Sequence, residues 1–344
     1  MKDRSNSPLE VESQLPVDKL PSNGFTQRIK EQLVDIVAQL AAGGALIIVV
    51  IYLSFASPVF LSLNNLFNIV SQTAVTAVIA LGMTFVIITA GIDLSVGSNA
   101  ALSGVVGVMM IVYVGVPWPL AILGGTLIGG LIGLVNGLLI NTARLSPFIT
   151  TLGMMGVARG LVSIVTNSVG VYGTPNDFQL LGEGSIDGIP IPLIVVVILA
   201  LVAYFILSRT RLGRYTYAIG SNSEAARLSG IPIKRYLVGI YLLQGVLAGF
   251  AGMIASSRVN SGQPNFGDGL ELDVIAAVVI GGASLMGGQG TILGTLIGAF
   301  LISIIRNGAV LLNINIYYQN VIIGLVIWLA VFWDQFRRRK FTNV

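Results

Sequence analysis

The chain has no cysteine and no histidine among its 344 residues. Disulfides, thiolate nucleophiles, imidazole bases and the usual zinc ligand sets are thereby excluded together. Charge is scarce too: 10% of residues are Asp, Glu, Lys or Arg, against about a quarter in a soluble domain. No G-x-x-x-x-G-K-[ST] occurs, so this polypeptide does not hold ATP by a P-loop. An enzyme built on side-chain chemistry has few tools here. What is abundant is apolar: 54% of residues are hydrophobic, the mean hydropathy is +0.88, and glycine reaches 42.

Such a composition predicts an all-α membrane protein. Apolar segments run at about 35–57, 66–90, 95–114, 118–140, 148–168, 191–208, 235–256, 271–283, 288–311 and 317–333, most of them near the roughly 20 residues that cross a hydrocarbon core as a helix. The eighth is too short to span and reads as a broken or re-entrant helix, tolerated where protein buries its ends. Residues 1–32 are polar, carry Pro8, Pro16 and Pro21, and lack the apolar core of a signal peptide; they read as a disordered cytoplasmic tail. Residues 33–336 then form the transmembrane domain and 337–344 a basic tail. With the amino terminus inside, 16 of the 19 basic residues fall on cytoplasmic stretches, which include 209–235. Basic residues gather on the cytoplasmic side of membrane proteins, so both termini are expected there. The net charge of +4 is read by side of the bilayer, with no nucleic-acid partner.

Glycine falls in stripes. Gly125, Gly129, Gly133 and Gly137 repeat every four residues in the fourth span, Gly290, Gly294 and Gly298 in the ninth. Small residues at this spacing let helix backbones approach closely. The fourth and ninth spans occupy equivalent places if spans 2–5 and 7–10 are repeats of opposite topology.

Three segments could carry function. Between the second and third spans, Asp93 stands among Gly91, Ser95 and Gly97; a carboxylate at membrane depth is costly and tends to be functional. Asp93 either caps the third helix, with Leu94 in its first turn, or touches a substrate at a hinge. In the cytoplasmic stretch, Ser221 and Glu224 fit a capping box, Ala225 and Ala226 favour helix, and Gly230 before Pro232 suits a left-handed stop. So short a helix needs a surface, either the protein's own spans or a partner's groove, toward which Ala225 and Ala226 offer a low-profile face. The third segment, with Gly281, Gly282, Gly287, Gly288 and Gly290, reads as tight packing of a broken helix. Arg159 and Arg306 stand within spans without a clear acidic partner.

At these segments the chain resembles the permease subunits of bacterial ABC importers for ribose and related monosaccharides. The similar stretches are GMTFVIITAGIDLSVGS from Gly82, RLGRYTYAIGSNSEAARLSGI from Arg211 and ELDVIAAVVIGGASLMGGQGTILGTLIGA from Glu271. With PFITTLG from Pro147 and YYQ from Tyr317 between and after them, the likeness covers about residues 50 to 335. The resemblance implies import of a monosaccharide, ribose or a related pentose. It implies a second permease copy or a related permease, a periplasmic or lipid-anchored sugar-binding protein, and a cytoplasmic ABC ATPase subunit that binds ATP and Mg. No cofactor is expected on this chain. Residues 221–230 match the family's ATPase-coupling segment. The rival reading is an ion-coupled secondary sugar transporter with Asp93 as its carboxylate.

Overall fold

The structure, a computed structural model, describes the backbone of residues 24–342 and the side chains of residues 40–329 and 332. In chain order it runs through α1 (Gly24–Ala56), α2 (Leu63–Ile88), α3 (Val96–Val112), α4 (Trp118–Thr142) and α5 (Pro147–Thr166). An excursion follows, containing β1 (Val171–Tyr172), a 3-10 turn (Asn176–Gln179), α6 (Leu180–Glu183), β2 (Ser185–Ile186) and β3 (Ile189–Pro190). The second half comprises α7 (Ile191–Arg209), α8 (Arg211–Ser221), α9 (Ser223–Leu228), α10 (Ile233–Arg258), β4 (Ser261–Gly262), α11 (Leu270–Ile280), α12 (Ile292–Leu311) and α13 (Ile316–Thr342). Every apolar segment of the sequence has a helix. Helix α1 begins at Gly24, inside the stretch assigned to the polar tail; residues 1–23 of that tail, and residues 343–344 of the basic one, lie outside the described residues.

The chain is an all-α membrane protein. Among the described residues α2, α4, α5, α7, α10 and α12 are long and apolar enough to cross a bilayer, with shorter apolar helical stretches in α1, α3 and α13. At 11 residues, α11 extends only about 16 Å and cannot cross. Proline sits in the first turn of α4, α5 and α7, where a missing N–H costs nothing. The side chains of Ser62 and Thr291 cap α2 and α12 by accepting from the N–H groups of Asn65 and Gly294.

Helix α2 is the central post: 94% of its apolar window is buried. Helices α7, α10, α11 and α12 surround it, whereas α5 and α7 are largely open on their outer sides, buried over only 22% and 28%. The packing is paired. The α4–α10 contact is answered by α12–α2, α3–α10 by α11–α2, α3–α4 by α11–α12, and α3–α5 by α11–α13. So α2–α5 and α10–α13 are two structural repeats, each wrapping its third helix around the first helix of the other. An odd number of spans apart, they are expected to cross the membrane in opposite directions.

The glycine stripes explain how this is packed. A Cβ on Gly129 would strike the backbones of Gly245 and Gly249, and one on Gly133 those of Tyr241 and Gly245; Gly137 faces Val238, and Gly125 faces Met253 and Ser103. The α4 stripe therefore interlocks with a second stripe on α10. On α12, Gly294 and Gly298 lie against Gly281 and Ala277 of α11 and its exit. Gly290 does not belong to that stripe: α12 starts at Ile292, and Gly290 sits before it at φ +153° against Ile88 and Ala283. Its extended, glycine-only conformation ends the preceding loop and is not helical.

Close backbone contact should make α10 intolerant of a methyl group at one glycine and indifferent at another. Gly245→Ala should lower the stability of the detergent-solubilised protein by about 1–3 kcal/mol through overpacking. Gly239→Ala, on the same helix with open space beside it, should be neutral or stabilising by up to about 1 kcal/mol. Thermal unfolding of the two variants side by side checks this.

Candidate functional site

The break between α2 and α3 is built residue by residue. Ala90 takes a left-handed φ of +59°, its N–H bonding to the carbonyl of Ile87 at 2.9 Å, while the Gly91 N–H reaches back to that of Val86 at 3.0 Å. These two bonds close α2 in a Schellman-type stop. Gly91 leaves no room for a side chain, since a Cβ would meet the Tyr241 hydroxyl and Val86. That hydroxyl donates to the carbonyl of Ile92 at 3.1 Å, tying the break to α10.

Asp93 is 1% exposed. Its Oδ1 accepts from the Ser95 N–H at 2.9 Å and from the Ser95 hydroxyl at 2.6 Å, and Asn136 of α4 donates to that same hydroxyl at 3.0 Å. Helix α3 starts at Val96, two residues beyond the expected first turn at Leu94. The delay has a local cause: Ser95 is the residue at the cap, and its hydroxyl is turned to Asp93 instead of to the helix. Gly97, in the first turn of α3, faces the carbonyl of Gly267 and the carboxylate of Glu271. Thus the two short helices, α3 and α11, begin against one another.

Both intramembrane arginines are paired, contrary to the sequence reading. Arg306 on α12 clasps Asp273 on α11 through Nε–Oδ2 at 2.6 Å and Nη2–Oδ1 at 2.8 Å. Arg159 on α5 meets Asp268 at 2.7 Å and donates from Nη1 to the carbonyls of Pro264 and Phe266, at 2.9 and 2.8 Å. The segment from α10 to α11 is thereby pinned to α5. The partners lie 33 and more than 100 residues away, beyond any search along one helix. An arginine in an apolar span without an acid one turn away was itself the signal of a distant partner. Beside the first pair, α2, α10, α11 and α12 enclose an open cavity lined by Gln72, Thr76, Phe266, Asp273, Ser303 and Arg306.

The α8–α9 loop corrects the capping box. Ser221 is the last residue of α8; Asn222 caps α9, accepting from the Ala225 N–H at 2.9 Å. Asn222 holds the extended backbone a cap requires, so the helix starts one residue later. Glu224 does not reach back. It binds Arg227 at 2.5 and 3.0 Å, and that guanidinium holds the carboxyl below its ordinary range. Gly230, at φ +81°, closes the helix: its N–H bonds to the Arg227 carbonyl and that of Ile231 to the Ala226 carbonyl. Ala226 was expected on a docking face with Ala225, but it is 5% exposed and turned inward, on a helix that packs against α8 and α10. The outward face carries Glu224, Ala225, Arg227 and Leu228, the last 74% exposed.

The glycine-rich loop connects this region to the core. Gly288 N–H donates to the Ile88 carbonyl at 2.8 Å, and the Tyr217 hydroxyl of α8 donates to the Gly290 carbonyl at 2.7 Å. A Cβ on Gly220 would strike both Ile88 and Gly288. Helix α8, the loop and the end of α2 are therefore joined by direct contact.

The site thus lies in a bundle with a caged central helix, paired helix packing and two short helices that meet inside it. The chain belongs to the family described as branched-chain amino acid transport system / permease component, which it matches over residues 65–331. It is 45% identical over 294 residues to the ribose import permease protein of Escherichia coli strain K12, covering 84% of this chain and 91% of that one. It is 47% identical over 292 residues to the ribose import permease protein of Bacillus subtilis strain 168, covering 84% and 90%. With the D-allose transport system permease protein of E. coli K12 it shares 40% over 289 residues, 84% and 89% of the two chains. No solved structure matches it.

The Asp273–Arg306 pair should show strong thermodynamic coupling. Arg306→Met alone leaves a buried carboxylate without its partner and should cost about 3–5 kcal/mol, whereas Arg306→Met with Asp273→Leu should recover most of that loss. A double-mutant cycle by thermal unfolding in detergent measures it.

Proposed function

We propose that this chain is the membrane-spanning subunit of an ATP-driven importer that carries ribose or a related monosaccharide across the bacterial inner membrane. The observation that carries the reading is the similarity, across 84% of the chain, to two ribose import permeases and a D-allose permease. ATP and Mg belong to separate ATPase subunits at the cytoplasmic face. A sugar-binding protein delivers substrate from outside, and a second permease copy or a related chain completes the channel. The distribution of basic residues orients both termini and residues 209–235 toward the cytoplasm.

In this reading α9 is the coupling element. Six residues do not hold a helix alone; the Asn222 cap, the Gly230 stop and the buried Ala226 hold this one. Its outward Leu228, bare in an otherwise polar loop, is the anchor for an ATPase groove. ATP binding on the partner moves α9 with α8, and α8 bears through Gly220 on the glycine loop and on Ile88. That contact leads to the Asp93 break, where α2 hands over to α3. The nucleotide thus shifts the balance between two states of the bundle. Asp93 serves as a fixed joint of this path, its carboxylate occupied by Ser95.

Leu228→Asp should weaken ATPase association about tenfold, the scale of losing one interface anchor, while the permease still inserts and folds. Gly230→Val should also uncouple, because a side chain at φ +81° costs about 1–2 kcal/mol. Co-purification of the ATPase, with binding-protein-stimulated hydrolysis in proteoliposomes, reads both. Full association and full stimulation in Leu228→Asp would remove α9 from the coupling role.

A further inference from the structure

We propose that the facing ends of α7, α8 and α10 form a binding site for the anionic headgroups of inner-leaflet phospholipids. The stretch between the spans α7 and α10 carries Arg209, Arg211, Arg214, Arg227, Lys234 and Arg235 against a single acid, Glu224. Arg227 takes that acid. The other five cations are exposed, and among the described residues none of them makes an ion pair. Orientation in the bilayer requires basic residues on this side, but not their collection at one edge of the bundle.

The fold brings them to that edge. Helix α8 runs from the rim of the bundle to its middle: Gly213 lies against the Leu207 carbonyl of α7, a helix open on its outer side, while Gly220 lies against Ile88 at the end of the caged α2. Gly213, Thr216 and Ile219 form its buried face, so Arg211 and Arg214 stand on the opposite face at the rim end. Arg214 folds back onto α7, its Nη1 donating to the Arg209 carbonyl at 3.4 Å. Tyr215 and Tyr236 meet edge to face with ring centroids 4.8 Å apart. That contact sets the first turn of α10, which holds Lys234 and Arg235, beside α8.

The depth of the rim selects a lipid over a protein. Residues 191–208 of α7 carry no charge and extend about 27 Å, close to the thickness of a hydrocarbon core. Arg209 therefore stands where the headgroups begin. Tyr204, 58% exposed a little more than one turn earlier, lies at the depth where aromatic residues mark the membrane interface. A phosphate at that level meets guanidinium forks that no carboxylate occupies. The face assigned to the ATPase is elsewhere, on α9, which follows the opposite end of α8 and presents Glu224 and Leu228. Of the reading above, the site needs only that residues 209–235 face the cytoplasm.

The test is made on the full-length permease in a nonionic detergent, where neither orientation nor transport enters. Titration with dioleoyl phosphatidylglycerol should raise the unfolding temperature above that reached with dioleoyl phosphatidylcholine, and about 0.5 M salt should remove the difference. Inorganic phosphate should not reproduce it. Each basic residue at an anionic surface contributes about fivefold in affinity, so Arg211→Gln with Arg214→Gln should need about thirtyfold more phosphatidylglycerol for half the effect. Its unfolding temperature in phosphatidylcholine should be unchanged; Lys234→Gln with Arg235→Gln repeats the test if the first variant folds poorly. Equal stabilisation by the two lipids, an equal shift with free phosphate, or an unaltered titration in the variants each overturns the site. So does loss of ATPase co-purification in the arginine variant with its lipid response intact, which would give the patch to the ATPase. In a chain without cysteine, Asn222→Cys tests the orientation separately: labelling from outside intact cells would overturn that reading and the leaflet with it, whatever the titration shows.

Discussion

Everything in this bundle depends on backbone contact at glycine. In lipid, hydrophobic burial does not draw helices together, because the tails are as apolar as the side chains. What remains is close van der Waals contact together with interhelical hydrogen bonds, and the facing stripes of α4 and α10 provide the first over about three turns. That interlock fixes α10, and α10 with α12 cages α2. Gly82 repeats the device inside the cage, leaving on α2 the space that Gln244 of α10 fills. Without these approaches the two repeats could not exchange their first helices, and the short helices α3 and α11 would have nowhere to end.

The polar groups inside are placed at the seams of that packing. Thr84 and Thr295 join α2 to α12 through their hydroxyls at 2.7 Å, and Asn65 and Asn307 do so through two amide bonds at 3.0 and 2.8 Å. Asp93, Asp273 and Asp268 each mark the start of a short helix, and each has a partner from a different place in the chain or in its own turn. The ion pairs of Asp273 and Asp268 contribute little net stability, whereas a packing that removed one partner would leave an uncompensated charge. The result is a set of helices joined at a few breaks, each break held by its own polar contacts.

The helices were legible because a span must satisfy its own backbone and present apolar side chains to lipid, so all ten segments stand out in the sequence. The α4 stripe was legible for the same reason, a period of four on one face. Gly290 was misread because glycine spacing alone does not tell a helix face from a loop that needs φ of +153°. The capping box failed by one residue: Ser221 and Asn222 are both good caps, and only the turn that ends α8 decides between them. Ala226 was assigned to the wrong face because a helix of six residues has no periodicity to reveal which side is buried. Arg159 and Arg306 signalled that partners exist, but which acids they meet is set by which helices come together, and that is a property of the packed bundle.

The central claim is that nucleotide hydrolysed on another chain drives sugar through this one. It is tested most directly by uptake of labelled D-ribose into proteoliposomes that hold the permease, its ATPase and its sugar-binding protein, with ATP supplied on the ATPase side and no ion gradient imposed. The account predicts accumulation that stops when ATP is replaced by a non-hydrolysable analogue and is unchanged by proton or sodium ionophores. Uptake that proceeds without the ATPase and collapses with an ionophore would contradict it and make the chain an ion-coupled carrier.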